Sequence, residues 1–187
     1  MWKELNMDTS SVKERGLNKV PGSHLGGKPI TSEWLENHKE IKTIVDLGPG
    51  AATYPKLMGG DYIWKAVEIW GPYVEKFELN KYYQEIRIGD IRYMEFPDGD
   101  CCIAGDILEH LTRPDFIKTF HKIDDKFKYV VISVPIHLLS DDVFEGNPFE
   151  SHQSYWSVEE LEEVFGPKYK KVMPTIEDDP CVIFFKE

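Results

Sequence analysis

Apolar residues fall along this chain in two kinds of segment that alternate. The first is a short continuous run, partly β-branched: Ile44, Val45 and Leu47 in TIVDLGPGAA, WKAVEI at 64–69, EIRIGDI at 85–91, CCIAGDIL at 101–108 and KYVVISV at 128–134. Runs of this length and composition predict strands buried on both faces of a parallel sheet. The second kind carries its apolar residues at helical spacing. Thr31 or Ser32 followed by Glu33 predicts a helix start, with Trp34, Leu35 and His38 facing the sheet. A short helix over 55–58 is stopped by Gly59 and Gly60, and an aromatic-rich one runs from Pro72 to Tyr83, with Tyr73 and Phe77 on one face. Thr112, Pro114 and Asp115 open a helix carrying Phe116, Phe120 and Ile123. Ser157 and Glu160 form a capping box before Leu161, Val164 and Phe165, and Gly166-Pro167 ends that helix.

Strands alternating with helices make a doubly wound α/β architecture. Two further strands, about 169–173 and 181–185, are joined by only residues 174–180. A parallel crossover needs a dozen or more residues, so neighbours joined this way are antiparallel. With 187 residues, 41% of them hydrophobic, the chain can bury one sizeable core, and a single domain is expected over 31–187. Residues 1–30 are broken by Pro21, Gly22, Gly26, Gly27 and Pro29 and read as an arm or lid. The acid pairs Asp124-Asp125, Asp141-Asp142 and Asp178-Asp179 read as exposed turns.

Chemistry enters at the ends of the strands. Gly48, Pro49 and Gly50 stop the first run, and Ala51 and Ala52 keep the approach to its backbone open. Asp46 sits where open α/β sheets place their ligands. Glu68 ends the second run 22 residues after Asp46, Asp90 the third after another 22, and Asp106 the fourth. An acid after the second strand can grip a ribose diol.

Four ordered strand ends of this kind resemble the class I methyltransferases that use S-adenosylmethionine. DLGPG at 46–50 is similar to that family's acid-x-Gly-x-Gly turn, Glu68 to its ribose-binding acid, Gly89-Asp90-Ile91 to its adenine-reading turn, and DILEHL at 106–111 to the segment after its fourth strand. Ala52 replaces the usual third glycine. The resemblance spans about 31–187. It implies a Rossmann-like sheet of order 3-2-1-4-5-7-6 with its last strand antiparallel and helices on both faces. It also implies S-adenosylmethionine as cofactor and S-adenosylhomocysteine (SAH) as product. The implied cofactor contacts are Asp46, Gly48, Pro49, Gly50 and Ala51 in the first turn, Glu68 and Ile69 in the second, Asp90 and Ile91 in the third, and Asp106 in the fourth.

Charge and loops narrow the acceptor. A net charge of -11 and a pI near 5.0 oppose binding to a nucleic-acid backbone and favour a small-molecule acceptor. No run of 18 apolar residues and no signal-like leader stands in the sequence, so a cytoplasmic protein is expected, with no membrane partner. Its oligomeric state is not legible. Three cysteines, two of them adjacent in a strand, fit core filling rather than a disulfide framework.

The long loop over 135–156 leaves the ligand edge of the sheet, as a substrate-binding loop would. An acceptor oxygen or nitrogen that carries a proton needs a base, and His152 in that loop is preferred, with His137 and His24 as the other candidates. Glu109 and His110 read as residues that fix the turn after Asp106. Asn147-Pro148-Phe149 resembles the Asn-Pro-Pro-aromatic motif of DNA amino-methyltransferases, but that motif follows the fourth strand. No metal site is predicted; the variant considered pairs Asp106 with Asp141 or Asp142 around Mg²⁺. Two other classes share parts of the pattern. One is a nicotinamide-dependent dehydrogenase, which would leave the Gly89-Asp90 and Asp106 turns without a use. The other is a noncatalytic cofactor- or partner-binding module.

Overall fold

The computed structural model describes residues 27–58, 61–136, 146–174 and 181–187. Seven strands, β1 (Thr43–Leu47), β2 (Ile63–Glu68), β3 (Glu85–Ile88), β4 (Cys101–Gly105), β5 (Tyr129–Pro135), β6 (Lys170–Val172) and β7 (Cys181–Lys186), form one sheet of order β3-β2-β1-β4-β5-β7-β6. The first five are mutually parallel, whereas β7 runs antiparallel to both β5 and β6. This is the topology that the motif resemblance implied.

Alternation along the strands divides the core in two. Val45, Leu47, Cys102, Ala104, Val130 and Ile132 meet α4 (Arg113–Lys126) and α5 (Val158–Phe165) on one face. On the other, Ile44, Ile103, Val131 and Ile183 meet α1 (Gly27–Asn37), α2 (Thr53–Leu57) and the segment holding Leu79 and Tyr83. All three cysteines are buried and free, filling this core as expected.

Local chemistry explains where the elements start. The Thr112 side chain accepts from the Asp115 N–H at the start of α4, and Ser157 and Glu160 complete both bonds of the capping box on α5. The expected cap at Thr31 or Ser32 is not the start of α1, which begins at Gly27. Pro29 falls in its first turn, where no N–H is required, and the Thr31 hydroxyl donates back to the Gly27 carbonyl at 2.8 Å instead of capping. The boundary drawn between residues 30 and 31 therefore cuts a helix.

The expected helix from Pro72 to Tyr83 is also two pieces, α3 (Pro72–Lys76) and a 3₁₀ turn (Leu79–Lys81), separated by Glu78 with φ 53°. The break lets Tyr73 face the loop at Glu150 while Leu79 and Tyr83 bury against the sheet. Asp124 is no exposed turn: it lies buried near the end of α4, where it takes the Tyr169 hydroxyl at 2.9 Å and the Lys186 ammonium at 3.0 Å. Asp141, Asp142, Asp178 and Asp179 lie outside the described residues.

Candidate active site

The site grows from the turns at the carboxyl ends of β1 to β5. Gly48 has φ +66°, and a Cβ built on it would come within 2.4 Å of Ile107 Cδ1, so the glycine turn and the segment after β4 pack directly together. Gly50 (φ 49°) and Ala52 (φ 57°) are also left-handed. Where the family's third glycine would stand, Ala52 thus bears the strain that its Cβ brings.

Asp46 is buried on the α1–α2 side, accepting the Tyr83 hydroxyl at 2.6 Å. Burial pushes its carboxyl up to about 7, against the pull of that bond and of the Lys28 charge. Glu68 at the end of β2 is buried too, accepting the Trp70 N–H at 2.8 Å. Desolvation raises it to about 7 in spite of backbone N–H bonds from Trp70, Gly50 and Ile69. Asp90 differs: burial acts to raise it, but the Arg92 guanidinium, bound at 2.5 Å, and the Arg92 N–H outweigh that and hold it below the usual range.

Beyond β4 the chain turns at Asp106 (φ 56°), whose carboxylate takes the Ser133 hydroxyl at 2.8 Å and lies 3.6 Å from the ammonium of Lys28, itself only 1% exposed. Lys28, in the segment whose sequence reads as an arm, sits at the first turn of α1 and reaches the junction of β1 and β4, where the strand order reverses. A 3₁₀ turn (Leu108–His110) follows. It presents Glu109 inward and His110 toward the cavity, with the imidazole of His110 pulled down to about 4 by burial and by its neighbour His152.

The described part of the long loop docks on this turn. The Glu109 carbonyl accepts from the Gln153 and Ser154 N–H groups at 2.9 and 3.1 Å, and Arg113 reaches the Tyr155 carbonyl at 2.8 Å. Its guanidinium lies 4.4 Å from the Trp156 ring, which packs on Phe116. Residues 146–156 are therefore bound to the scaffold rather than standing as a free cover. Asn147 spends its side chain locally, accepting from the Phe149 N–H and donating to Glu150, which Tyr73 also binds. It offers no catalytic amide, so the likeness to the DNA amino-methyltransferase motif carries no chemistry.

Between these two sets of turns lies a cavity of about 260 Å³. Gly48, Ile69, Asp90, Ile91 and Arg92 line one side, Ile107, His110, Leu111 and Thr112 another, and Pro148, Phe149, Ser151 and Gln153 a third. It is just below the usual range for ligand pockets, about 300–1,000 Å³. Of the residues predicted to hold the cofactor, Gly48, Ile69, Asp90 and Ile91 meet here, while Asp46, Pro49, Gly50, Ala51, Glu68 and Asp106 stand around it without lining it.

His152 does not line the cavity. Its ring packs edge-on against His110, with centroids 4.9 Å apart, and its Nε2 is 4.0 Å from a Glu109 carboxylate oxygen. His24 and His137 lie outside the described residues. The triad Glu109, His110 and His152 went unrecognised in the sequence, since Glu-His in one turn carries no signal until a distant loop supplies the third member.

No protein-family model and no curated protein matches the sequence. Among solved structures, the chain is similar to an S-adenosylmethionine-dependent methyltransferase from Clostridium acetobutylicum ATCC 824. That match has TM-score 0.64 and 11% identity, covering 95% of this chain and 98% of the other. It is also similar to magnesium protoporphyrin IX methyltransferase from Synechocystis PCC 6803 with bound SAH, at TM-score 0.62 and 13% identity over 95% and 94% of the two chains. A third match is the small RNA methyltransferase HEN1, at TM-score 0.58 and 16% identity over 85% of this chain and 25% of that one. The chain thus has the class I methyltransferase fold. Among the described residues no helix is long and apolar enough to cross a membrane.

Proposed function

We propose that this protein transfers a methyl group from S-adenosylmethionine to an oxygen or nitrogen of a small-molecule acceptor. The observation that carries the reading is the cavity at the carboxyl edge, where Gly48, Ile69, Asp90 and Ile91 from three successive strand ends face Pro148, Phe149, Ser151 and Gln153 of the long loop. One side is built for a nucleoside and the other for a second reactant. The cofactor, when bound, supplies an electrophilic methyl on sulfur.

The residues present fit that cofactor. Glycine at 48 allows the left-handed turn to close against Ile107 at the cavity wall, where a Cβ would not fit. The Glu68 carboxylate ends β2 in the position from which a ribose diol is gripped, and its proton affinity near neutrality lets it accept as an anion above pH 7. Asp90, kept ionised by Arg92, and the apolar Ile69 and Ile91 suit an adenine's amino edge and faces.

Methyl transfer is an in-line displacement, so the chain's contribution is to hold two reactants in contact and to exclude water. Residues 146–156, pinned through Glu109 and Arg113, do this on the acceptor side. A base for the acceptor's proton, if one is needed, is sought in the Glu109–His110–His152 group, where His152, the candidate from the sequence, stands behind the cavity-lining His110 and serves only with its Nε2 unligated. The fold itself hosts acceptors as different as a porphyrin and an RNA in its solved examples, so the choice of a small molecule rests on the acidic net charge of -11.

The test is incubation with radiolabelled S-adenosylmethionine and a panel of hydroxyl, carboxyl and amine acceptors, alongside calorimetric titration of SAH. Labelled product together with SAH binding supports the proposal. Binding without transfer to any acceptor favours a noncatalytic cofactor-binding module.

A further inference from the structure

Glu109 is the most anomalous side chain at this edge. The residue is 1% exposed, and neither carboxylate oxygen has a hydrogen-bond partner among the described residues. Burying a carboxylate with no donor is costly, and the group must either hold a proton or face a cation. The side chains beside it supply the surroundings of a cation site. One ligand atom each from Glu109, His110 and His152 lie within 4.8 Å of one another, although His152 is 42 residues from His110 along the chain.

We propose that Glu109, His110 and His152 bind a divalent transition-metal ion of the Zn²⁺ or Mn²⁺ class, with its remaining coordination positions open toward the acceptor cavity. Two imidazoles and one carboxylate are a donor set suited to these ions rather than to Ca²⁺ or Mg²⁺.

The backbone around the set is arranged to present it. A carbonyl oxygen only accepts, so the 3.2 Å contact between His110 Nδ1 and the Ser151 carbonyl places the ring proton on Nδ1 and leaves the Nε2 lone pair for a metal. The Gln153 and Ser154 N–H groups grip the Glu109 carbonyl, which fixes the loop carrying His152 against the turn carrying the other two ligands. Ligands about 2.0–2.2 Å from a tetrahedral ion stand about 3.3–3.6 Å apart. The present spread of up to 4.8 Å, with His152 Nε2 4.0 Å from Glu109, therefore closes by roughly 1 Å on binding, within reach of side-chain rotation.

His110, Ser151 and Gln153 line the cavity, so the open positions meet whatever reactant occupies it. That acceptor role rests on the methyl-transfer reading; the metal site does not. An acceptor whose oxygen or nitrogen carries a free lone pair can enter the ion's coordination sphere at those positions.

The test uses untagged, chelator-treated full-length protein, titrated calorimetrically with ZnCl₂ and MnCl₂ as wild type, Glu109→Gln and His152→Ala, with SAH affinity and far-UV circular dichroism measured on the same samples. One ion per chain in the wild type, weakened at least about a hundredfold in both folded variants, is the expected result. A Co²⁺-loaded wild type supplies ligand-field absorption without relying on any variant. No saturable binding, equal binding by the variants, or no Co²⁺ bands overturns the proposal. SAH binding without metal binding defeats this inference alone, whereas metal binding without SAH binding defeats the cofactor reading and leaves this one standing.

Discussion

The two halves of the carboxyl edge hold their acids in different ways. After β1, β2 and β3, each acid has a partner from within the chain: Asp46 the Tyr83 hydroxyl, Glu68 the Trp70 N–H, Asp90 the Arg92 guanidinium. After β4, Asp106 is likewise held, by the Ser133 hydroxyl and beside Lys28, but Glu109, as deeply buried, has no hydrogen-bond partner for its carboxylate among the described residues, and its neighbours are two imidazoles. The first half is a finished surface, ready for a ligand that replaces few of its bonds. The second is an unfinished one, whose stability depends on something it binds or on a retained proton. The proposed function follows that contrast, with cofactor binding in one half and acceptor chemistry in the other.

The contrast breaks most visibly at the point where the halves touch. Gly48→Val puts a β-branched side chain into a left-handed turn and against Ile107, and the strain alone is about 1–3 kcal/mol. Together with the displaced wall, it should lower SAH affinity about a thousandfold in calorimetry, with the far-UV spectrum retained. Affinity within tenfold of wild type would show that the two halves are not coupled through this contact.

Next in size is a pH effect that a variant in the cofactor half isolates. Asp46 is raised from 3.8 to about 7, so between those values the folded state holds a proton that the unfolded state has lost. Stability therefore falls as pH rises through that window and is level above it. Asp46→Asn can still accept from Tyr83 but removes the titration. Relative to the variant, the wild type should lose about 2–3 kcal/mol between pH 5 and pH 8 in urea unfolding. Parallel pH profiles for the two proteins would show that the buried acid does not titrate as described.

The smallest effect sharpens the acceptor half. Ser157→Ala removes the side-chain half of the capping box that anchors the loop's return into α5, at a cost of about 1 kcal/mol in unfolding free energy. SAH affinity should not change, because the cap lies on the loop's far side from the cofactor turns. A fall in SAH affinity would mean that the loop forms part of the cofactor site.

What was legible in the sequence follows the same division. The cofactor half was readable because its parts are local: a glycine turn directly after a run of apolar residues, and an acid at each strand end, at the spacing of one strand-helix-strand unit. The antiparallel last pair followed from the shortness of 174–180, whereas the sheet order came from the resemblance to the methyltransferase family and not from the strand pattern. Errors came where a local rule had a competitor. Thr31 looked like a cap, but its hydroxyl found the Gly27 carbonyl inside a helix that Pro29 permits. Pro72 to Tyr83 looked continuous, but Glu78 turns left-handed so that Tyr73 and Leu79 serve different surroundings.

The acceptor half was hidden for a different reason. Glu109 and His110 gain their meaning from His152, and only the docking of Gln153 and Ser154 on the Glu109 carbonyl brings that residue back. Lys28, which ends against Asp106 at the strand reversal, belonged to a segment without periodicity.

The central claim is that the turns after β1 to β3 hold the cofactor, and Glu68 tests it most directly. SAH titrated into the wild type should bind one to one, with affinity rising from pH 6 to pH 8 as the carboxyl, pushed up to about 7, gives up its proton. Losing a charge-assisted bond to a buried ribose hydroxyl costs about 1.5–3 kcal/mol, so Glu68→Ala should bind about ten- to a hundredfold more weakly and lose the pH dependence. A folded Glu68→Ala protein with the wild-type dissociation constant at every pH, or a wild type that binds no SAH at all, would contradict the account.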